Sequence, residues 1–451
     1  MSKNLRQLVL PSNFLRFSKR YLHGPKRKYP VNKEEAKKLP VFQYPVSKSS
    51  YRRVFAWGNI HTGALGIPYT DKEQRPDHTH FIKYPKRITF GEKHEVTTAA
   101  CGFGFTVFAV NSQDENKVYG MGINTDSQIG YHEVRHGHPL EIIFIPKPIH
   151  LPFKNPVESK VLKVSAGRAH LAILTDEGLF TLGNNAYGQC GRKIIPEENY
   201  TMSNYIHHIS DVEGENIIDV ECGQDHSLIL TEKGKVYSCG WGADGQTGLG
   251  HYDNAPEFTR VKGDIEGENI VKFASRSDFV LAVNDKGEVF GWGNTEYGQL
   301  TLSDGSQQVA TPTHMKILEQ VGKVKSVASG GSFCLAVNED GQVFTWGYGL
   351  LGVGPNAQQS REPIHIPDTL FGRNDFQPNS RVEEVVCGLF NAAAVTNLGD
   401  LYAWGRNKNC CLGLGNDKDQ YFPLKVSLGG FVKKMYCGVD HCIAVCEPFC
   451  M

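Results

Sequence analysis

The sequence predicts an all-β fold, a seven-bladed β-propeller whose N- and C-terminal strands pair in one composite blade. Three observations predict it. A short apolar stretch ending in Trp-Gly, or in a close variant, occurs seven times at intervals of 53 to 64 residues. A second recurring piece is built around Cys-Gly, and a third around proline. Together they supply four strands per repeat, and such a repeat is typical of propeller blades.

The Trp-Gly piece is clearest at residues 289–300, where an apolar strand enters a polar loop that closes on Gly-Gln. Four of the five tryptophans occupy one slot of this piece, and they are Trp57, Trp292, Trp346 and Trp404. In the fourth copy Cys239 fills the slot and Trp241 lies two positions later, on a loop. Trp241 is therefore either an exposed interface anchor or a ring packed against the neighbouring blade.

The Cys-Gly piece reads Val-Glu-Cys-Gly-Gln-Asp-His at residues 220–226. Its glycine recurs in five other copies, and Arg276 replaces it once. The position before the glycine holds only small residues, namely Cys101, Ala166, Cys222, Ser275, Ser329, Cys387 and Cys437. Such a position suits a small buried side chain, and free cysteine fits it. We therefore expect reduced, structural cysteines and no metal site.

The remaining strands of each repeat follow from turns and prolines. Sequences such as Asp285-Lys-Gly287 mark hairpins between β-rich runs. Pieces that begin at Pro312, Pro363 and Pro423 suit an edge strand, where a missing N–H removes no ladder bond. The first repeat lacks a Cys-Gly piece and the last lacks a Trp-Gly piece, so the two half-repeats are predicted to complete one blade. This closure removes free sheet edges.

The N-terminal segment differs from the rest in charge. Residues 1–33 contain nine Lys or Arg and no Asp or Glu, interleaved with apolar residues. This pattern predicts a mitochondrial targeting segment at 1–33, followed by a linker at 34–50 and the propeller at 51–451. The alternative is a basic tail that binds nucleic acid. Without residues 1–33 the chain carries 39 basic (48 − 9) and 48 acidic residues, a net charge of −9, which does not favour general phosphate binding.

Connections between the strands are long at 67–96 and 131–160, where surface function usually resides. Their histidine-rich stretches, including Arg135-His-Gly-His138, are read as solvated loops, with metal ligation as the alternative. The sequence contains no Gly-rich phosphate loop, nucleophile elbow or clustered metal ligands, so we expect no covalent catalysis, no cofactor and no metal. No apolar run is long enough to predict a membrane span.

At this point the chain resembles the regulator-of-chromosome-condensation repeat family. The resemblance rests on the Cys-Gly-x-x-His and Trp-Gly-x-Asn-x-x-Gly-Gln-Leu-Gly repeats, covers residues 51 to 447, and is closest to the mitochondrial branch. The founding member is a guanine nucleotide exchange factor for a nuclear small GTPase, and it uses an extended wedge in one Trp-Gly loop. We expect no such extension here, so exchange on the nuclear GTPase is not expected.

For the mitochondrial branch, the resemblance implies exchange on the dynamin-like GTPase of inner-membrane fusion. It also implies a role with ribosome-assembly factors and large-subunit rRNA in the mitochondrion, in the matrix or at the periphery of the inner membrane, and no DNA partner. The alternative is a non-catalytic scaffold in mitochondrial ribosome assembly. A scaffold needs only separate interface patches, whereas an exchange factor needs a face that acts on a phosphate site.

The resemblance also implies a partner-binding set on the Asp-His loops. Two copies retain both residues, and a third retains the histidine alone; with the displaced tryptophan the set is Asp225, His226, Asp440, His441, His170 and Trp241. The remaining copies have Phe105, Phe279, Phe333 or Asn391 at the histidine position. The alternative reading is structural, because a side chain repeated around a ring can instead bond the next blade.

Overall fold

The computed structural model describes residues 52–67, 80–301 and 305–449. The predicted targeting segment 1–33 and linker 34–50 lie outside the described residues. Residues 44–374 and 378–451 form one compact unit, which holds every strand discussed below. A second unit comprises residues 1–43 and 375–377, of which only 375–377 are described.

The described chain is almost entirely β-structure. One short helix, α1, spans Phe90–Lys93, and 3-10 turns span Lys316–Val321, Asp368–Phe371 and Lys408–Cys410. The strands are β1 Arg53–Asn59, β2 Phe81–Arg87, β3 Glu95–Cys101, β4 Phe105–Asn111, β5 Val118–Ile123, β6 Glu133–Arg135, β7 His138–Pro139, β8 Ile142–Pro148, β9 Val161–Ala166, β10 His170–Thr175, β11 Gly178–Gly183, β12 His207–Ile209, β13 Ile217–Cys222, β14 His226–Thr231, β15 Val236–Gly240, β16 Ala255–Arg260, β17 Ile270–Ser275, β18 Phe279–Asn284, β19 Val289–Asn294, β20 Gln308–His314, β21 Val324–Ser329, β22 Phe333–Asn338, β23 Val343–Tyr348, β24 Gln359–Ile366, β25 Val382–Cys387, β26 Asn391–Thr396, β27 Leu401–Gly405, β28 Gln420–Val426, β29 Gly430–Cys437 and β30 His441–Pro448.

These strands form seven four-stranded antiparallel sheets, which confirms the predicted seven-bladed propeller. Blade 1 has the order β29-β30-β1-β2 and blade 2 the order β3-β4-β5-β8. Blades 3 to 7 each take four consecutive strands, from β9 to β28. The strands β6 and β7 form a separate two-stranded hairpin.

Blade 1 joins the two ends of the described chain. Strand β1 pairs with β30 in an unbroken antiparallel register from Arg53 opposite Cys446 to Gly58 opposite His441. Beyond the register, the Asn59 N–H donates to the Asp440 carbonyl at 2.8 Å. In this blade β29 is one edge strand and β2 is the other, so the C-terminal part of the chain supplies β29 and β30 and the N-terminal part supplies β1 and β2.

Strand alternation sorts the connections onto two faces. In every blade, the connections from first to second strand and from third to fourth strand leave the sheet at the same end, because the strands are antiparallel. We call this end the Trp-Gly face, since it carries the Trp-Gly and Asp-His loops. The opposite end, with the second-to-third-strand turns and the connections between blades, is the turn face.

The tryptophan slot is buried between neighbouring blades. Trp57, Trp292, Trp346 and Trp404 have no exposed surface. Three of the indole N–H groups donate to a carbonyl in the preceding blade's Trp-Gly loop, at Cys411 for Trp57, Gln246 for Trp292 and Gln299 for Trp346, over 2.7 to 3.0 Å. A buried indole that finds such a partner contributes both apolar area and a satisfied donor. These three tryptophans therefore bond blades 1, 5 and 6 to the blade before each of them.

The Cys-Gly piece also has a packing explanation. The small residues predicted at the cysteine position are all buried, as expected. The glycine that follows makes room for the ring three residues later: a Cβ on Gly223 would lie 2.1 Å from Cε1 of His226, and one on Gly102 would lie 2.2 Å from the Phe105 ring. The motif therefore has a glycine because an aromatic ring folds back over its backbone.

The eleven cysteines within the described residues are all free and buried. No described helix is long and apolar enough to cross a membrane. Among the described residues, no group of three or more His, Cys, Asp or Glu side chains is arranged to hold a metal ion.

Candidate partner-binding face

The predicted histidines begin the second strands of their blades, beneath the Trp-Gly face, and all three are fully buried. Each ring reaches a hydroxyl of the next blade. Nε2 of His170 lies 2.9 Å from Ser227 Oγ, Nε2 of His226 lies 2.9 Å from Ser275 Oγ, and Nε2 of His441 lies 2.7 Å from Thr106 Oγ1. This is the contact with the next blade that the structural alternative predicted, and its acceptor is a side-chain hydroxyl.

Each hydroxyl in turn fixes which histidine nitrogen carries hydrogen. Ser227 Oγ donates to the Gln189 carbonyl at 2.8 Å, and Ser275 Oγ donates to the Phe279 carbonyl at 3.2 Å. A hydroxyl has one proton, so each must accept from the histidine that contacts it. His170 and His226 are therefore protonated on Nε2.

The other ring nitrogen, Nδ1, of His170 and of His226 is buried and has no partner in the described protein. Burial penalises the charged imidazolium and lowers the pKa of each ring to about 3. Both histidines are thus neutral at physiological pH, and they act as fixed donors between blades.

His441 is different, because both of its nitrogens have partners. Thr106 Oγ1 donates to the Ala64 carbonyl at 2.8 Å, so His441 Nε2–H must donate to Thr106, while Nδ1 faces Asp440 Oδ1 at 2.9 Å. Burial alone would lower the pKa of this ring, but the neighbouring Cys101 and Asp440 raise it to about 10. His441 is therefore an imidazolium paired with a carboxylate.

The two predicted aspartates make different contacts. Asp225 accepts two bonds from the Arg168 guanidinium, at 3.1 Å to Nε and 2.9 Å to the terminal nitrogen, and this arginine belongs to the preceding blade. Burial raises the pKa of Asp225, while Arg168 opposes the shift. Asp440 accepts from Asn59 Nδ2 at 3.0 Å besides its pair with His441, and its pKa is lowered because these bonds outweigh its burial.

Trp241 packs against the neighbouring blade, which is one of the two alternatives predicted for it. Its ring stands edge-on to Tyr187 of blade 3, with the ring centres 4.6 Å apart. The ring remains partly exposed on the Trp-Gly face. Cys239, which fills the tryptophan slot of this blade, is fully buried.

The six predicted residues therefore lie on or under one face, but they form no single cluster. Their polar atoms mostly bond within the propeller, and the three imidazoles are inaccessible from outside. Partner contact at these positions stays a prediction, and of the groups described here the half-buried Trp241 and the exposed Arg168 beside Asp225 are accessible to a partner.

Acidic side chains dominate the part of this face between blades 4 and 5. Burial, together with the nearby Asp244 and Asp225, raises the pKa of Asp278 to about 6. Asp244 accepts from Gln308 Nε2 at 2.8 Å. A partner surface that meets this region is expected to be basic.

Sequence reasoning missed one element of this face, the hairpin of β6 and β7. It lies in the third-to-fourth-strand connection of blade 2, within the stretch 131–160 that was predicted to be a long surface connection. Glu133 preorganises it by accepting from the Tyr131 hydroxyl at 2.8 Å and from the Gly137 N–H across the turn at 3.2 Å. Val134 on the hairpin is 72% exposed, and Arg135 is exposed as well. The His-Gly pair at the tip was the available signal, and it was read as irregular loop.

Comparisons with known proteins agree with this architecture. The regulator of chromosome condensation (RCC1) repeat matches residues 53–109, 176–230, 286–337 and 399–445, and a second form of that repeat matches 217–246 and 324–352. The mouse "RCC1-like G exchanging factor-like protein" is 45% identical over 421 residues, covering 91% of both chains. This chain belongs to the regulator of chromosome condensation repeat family.

Two solved structures of this family illustrate how far the likeness extends. The crystal structure of human WBSCR16 is 45% identical and matches with a TM-score of 0.83, covering 88% of this chain and 100% of that one. Prp20p from Saccharomyces cerevisiae is 19% identical with a TM-score of 0.70, covering 93% and 95%, and this likeness shows the fold alone.

Within the regulator of chromosome condensation repeats, the matched stretches include both Asp-His loops and Trp241. The hairpin does not belong to them, because it falls between the matched stretches 53–109 and 176–230. It lies on the face that carries the Asp-His loops.

Proposed function

We propose that this protein is a guanine nucleotide exchange factor for the dynamin-like GTPase of mitochondrial inner-membrane fusion, and that it engages the GTPase through the Trp-Gly face. The family and the names of its 45% identical relatives in mouse and human support an exchange factor. An exchange factor needs no covalent chemistry, since it acts by binding the nucleotide-free GTPase more tightly than the loaded one.

The β6–β7 hairpin is the observation that carries the proposal. Exchange requires an element that reaches a nucleotide site, and this hairpin is preformed, solvent-exposed and attached to a rigid blade. Val134 on β6 offers an exposed apolar side chain, and Arg135 offers a cation that suits phosphate. Because Glu133 already holds the turn, little conformational freedom is lost when the tip docks.

The test is release of a fluorescent GDP analogue from the purified GTPase. Wild-type protein should accelerate release, and Val134→Asp with Arg135→Glu should lower the acceleration by about tenfold or more, since a charge-assisted contact is lost. The matched control makes the same changes on the turn face, at the exposed Val157 and Lys160, and should keep full activity.

Two results would count against the proposal. If the wild type does not accelerate GDP release, the protein is not an exchange factor for this GTPase. If the hairpin variant accelerates release fully, the protein is an exchange factor whose site lies outside the hairpin. Arg168→Ala would then test the loop that holds Asp225.

Mitochondrial import is part of the proposal, on the basis of the acid-free, basic segment 1–33. Residues 1–33 fused to a fluorescent protein should place it in mitochondria. A nuclear or cytosolic reporter would contradict this location.

A scaffold in mitochondrial ribosome assembly, with large-subunit rRNA and assembly factors as partners, is the second candidate. It is favoured by the burial of His170, His226 and His441, because rings that bond neighbouring blades are not available to a GTPase. Purification of the tagged protein from mitochondria separates the two. Recovery of rRNA and assembly factors without the GTPase supports the scaffold.

A further inference from the structure

The first strands of all seven blades line a central cavity of about 330 Å³. The residue three positions before the cysteine slot faces this cavity in each blade. These seven residues are all charged or hydroxyl-bearing: Thr98, Lys163, Asp219, Lys272, Ser326, Glu384 and Lys434. Both Lys272 and Lys434 are solvent-exposed within this ring, so their ammonium groups are accessible to a ligand in the cavity.

On one side of this ring, Lys163 is paired with two carboxylates, so that side carries a net charge of 1 − 2 = −1. Lys163 Nζ lies 2.6 Å from Asp219 Oδ1 and 3.2 Å from Glu221 Oε2, which belong to the neighbouring strand. The two carboxylates raise the pKa of Lys163 in spite of its burial. This triad bridges blades 3 and 4 and is a structural element.

The charges of the other side are not paired in this way. Within the part of the chain that the structure describes, Lys272, Glu384 and Lys434 make no ion pair or hydrogen bond through their side chains, yet all three line the cavity. Burial raises the pKa of Glu384, and the two lysines only partly oppose that shift. With Arg276, this side has three cationic side chains and one carboxylate, so its net charge is positive.

Arg276 crosses the end of the cavity that opens on the Trp-Gly face. It takes the place of the repeat's glycine in blade 5, and one terminal nitrogen donates to the carbonyls of Cys101, at 2.9 Å, and of Cys437, at 2.5 Å. Those carbonyls end strands β3 and β29 on other blades. The Arg276 Nε–H is buried and has no partner in the described protein. A ligand would therefore enter from the turn face and meet a guanidinium at the far end.

We propose that the central cavity is a binding site for a small oxyanion with at least two negative charges, held by Lys272 and Lys434 with Arg276 at its closed end. The cavity has room for about ten water molecules, enough for a phosphate-sized anion. Hydroxyl donors complete the site. Tyr436 donates to Thr98 Oγ1 at 3.3 Å, which leaves the Thr98 proton free for a ligand, and Ser326 lines the same ring.

The test uses the full chain and inorganic phosphate, with sodium chloride at the same ionic strength as reference. Calorimetric titration should show one phosphate site, and phosphate should raise the melting temperature, because a ligand that binds only the folded state stabilises it. Lys272→Met with Lys434→Met should weaken binding by about tenfold for each lysine. Lys193→Met with Lys262→Met, an equal charge change at exposed positions, should bind as the wild type does.

Glu384→Gln provides a test in the opposite direction. It removes the one unpaired carboxylate of the ring, so phosphate should bind more tightly than to the wild type, even if the lysine variant fails to fold. A parallel titration with malonate distinguishes two classes of dianionic ligand. Selective binding of phosphate indicates a tetrahedral oxyanion, and equal binding of malonate indicates a small dicarboxylate.

Absence of any site for either dianion in the wild type would overturn the proposal. So would phosphate binding that the lysine variant retains or that Glu384→Gln weakens. Because the cavity opens on the turn face and the hairpin lies on the other, neither result bears on nucleotide exchange.

Discussion

The two Asp-His loops have the same dipeptide, yet they differ in charge state and partners. In blade 4, Asp225 bonds Arg168 of the preceding blade, and the neutral His226 bonds Ser275 of the next. In blade 1, Asp440 turns to its own neighbour, and the His441 imidazolium is held by that carboxylate and by Thr106.

This difference arises from the neighbouring blades, because the repeat itself is the same. Where blade 3 supplies an arginine, the aspartate pairs with it and leaves the adjacent histidine neutral. Where no arginine is supplied, the aspartate pairs with the histidine and charges it. A repeated motif thus specifies the position of a side chain, while its protonation depends on residues a blade away.

The largest expected effect comes from removing the blade that holds the charged pair. Deletion of residues 432–451 takes away most of β29 and all of β30, so β1 loses its partner. We expect loss of the single cooperative melting transition, because the stabilisation lost with these strands exceeds the total stability of a typical domain, about 5 to 15 kcal/mol. Differential scanning calorimetry measures this. A truncated protein that melts as the full chain does would show that blade 1 is dispensable.

Phenylalanine substitutions compare the two histidines directly, since Phe105, Phe279 and Phe333 already occupy this slot in other blades. His441→Phe should cost about 3 to 5 kcal/mol, because it leaves Asp440 as an uncompensated buried charge. His226→Phe should cost about 1 to 2 kcal/mol, the price of leaving the Ser275 hydroxyl without its donor. Urea titration gives both free energies of unfolding, and equal losses would refute the assigned charge states.

The pH dependence should run in opposite directions for the two rings. The folded pKa of His441, about 10, lies above its unfolded value of 6.5, so its contribution is complete below pH 6.5 and is lost as pH rises toward 10. The folded pKa of His226, about 3, lies below the unfolded value, so its contribution is lost as pH falls from 6.5. Each changes by about 1.4 kcal/mol per pH unit.

The measurement is the difference in unfolding free energy between wild type and each phenylalanine variant. From pH 7 to 9 this difference should shrink for His441→Phe, and from pH 7 to 5 it should shrink for His226→Phe. Parallel profiles for the two variants would contradict the comparison.

The smallest expected effect is at the arginine that distinguishes the loops. The Arg168 side chain is 46% exposed, and the buried Asp225 carboxyl can take up a proton when unpaired because burial already raises its pKa, so Arg168→Ala should cost only about 0.5 to 1.5 kcal/mol. Added salt should reduce that cost, since exposed charges are screened. A salt-independent loss well above this range would mean that Arg168 is a packing residue.

Much of the fold could be predicted from periodicity. The tryptophan slot, the small residue before the glycine and the incomplete first and last repeats were sufficient to expect seven blades and a composite one. Each of these is a local pattern, and burial between blades requires the same kind of residue at the same position of each repeat.

The contacts between blades could not be predicted in the same way. Ser227 and Thr106 directly follow the histidine position of their own blades, whereas Ser275 occupies the cysteine position, so no single pattern links the three hydroxyls to the histidines of the preceding blades. Arg276 was visible as an exception to the glycine, but its reach across the cavity depends on the diameter of the ring. The hairpin was missed because its strands have only two or three residues each.

The composite blade has a consequence for how the chain is made. Asn59 and Asp440, which bond each other, lie 381 residues apart, so strand β1 is synthesised long before the strand it needs. Until then β1 is an unpaired edge that can associate with other chains. Pairing of such distant segments also slows folding. A nascent molecule therefore depends on protection of its first strands until the last one is made. Shortage of chaperones should affect this protein before it affects proteins whose strands pair locally.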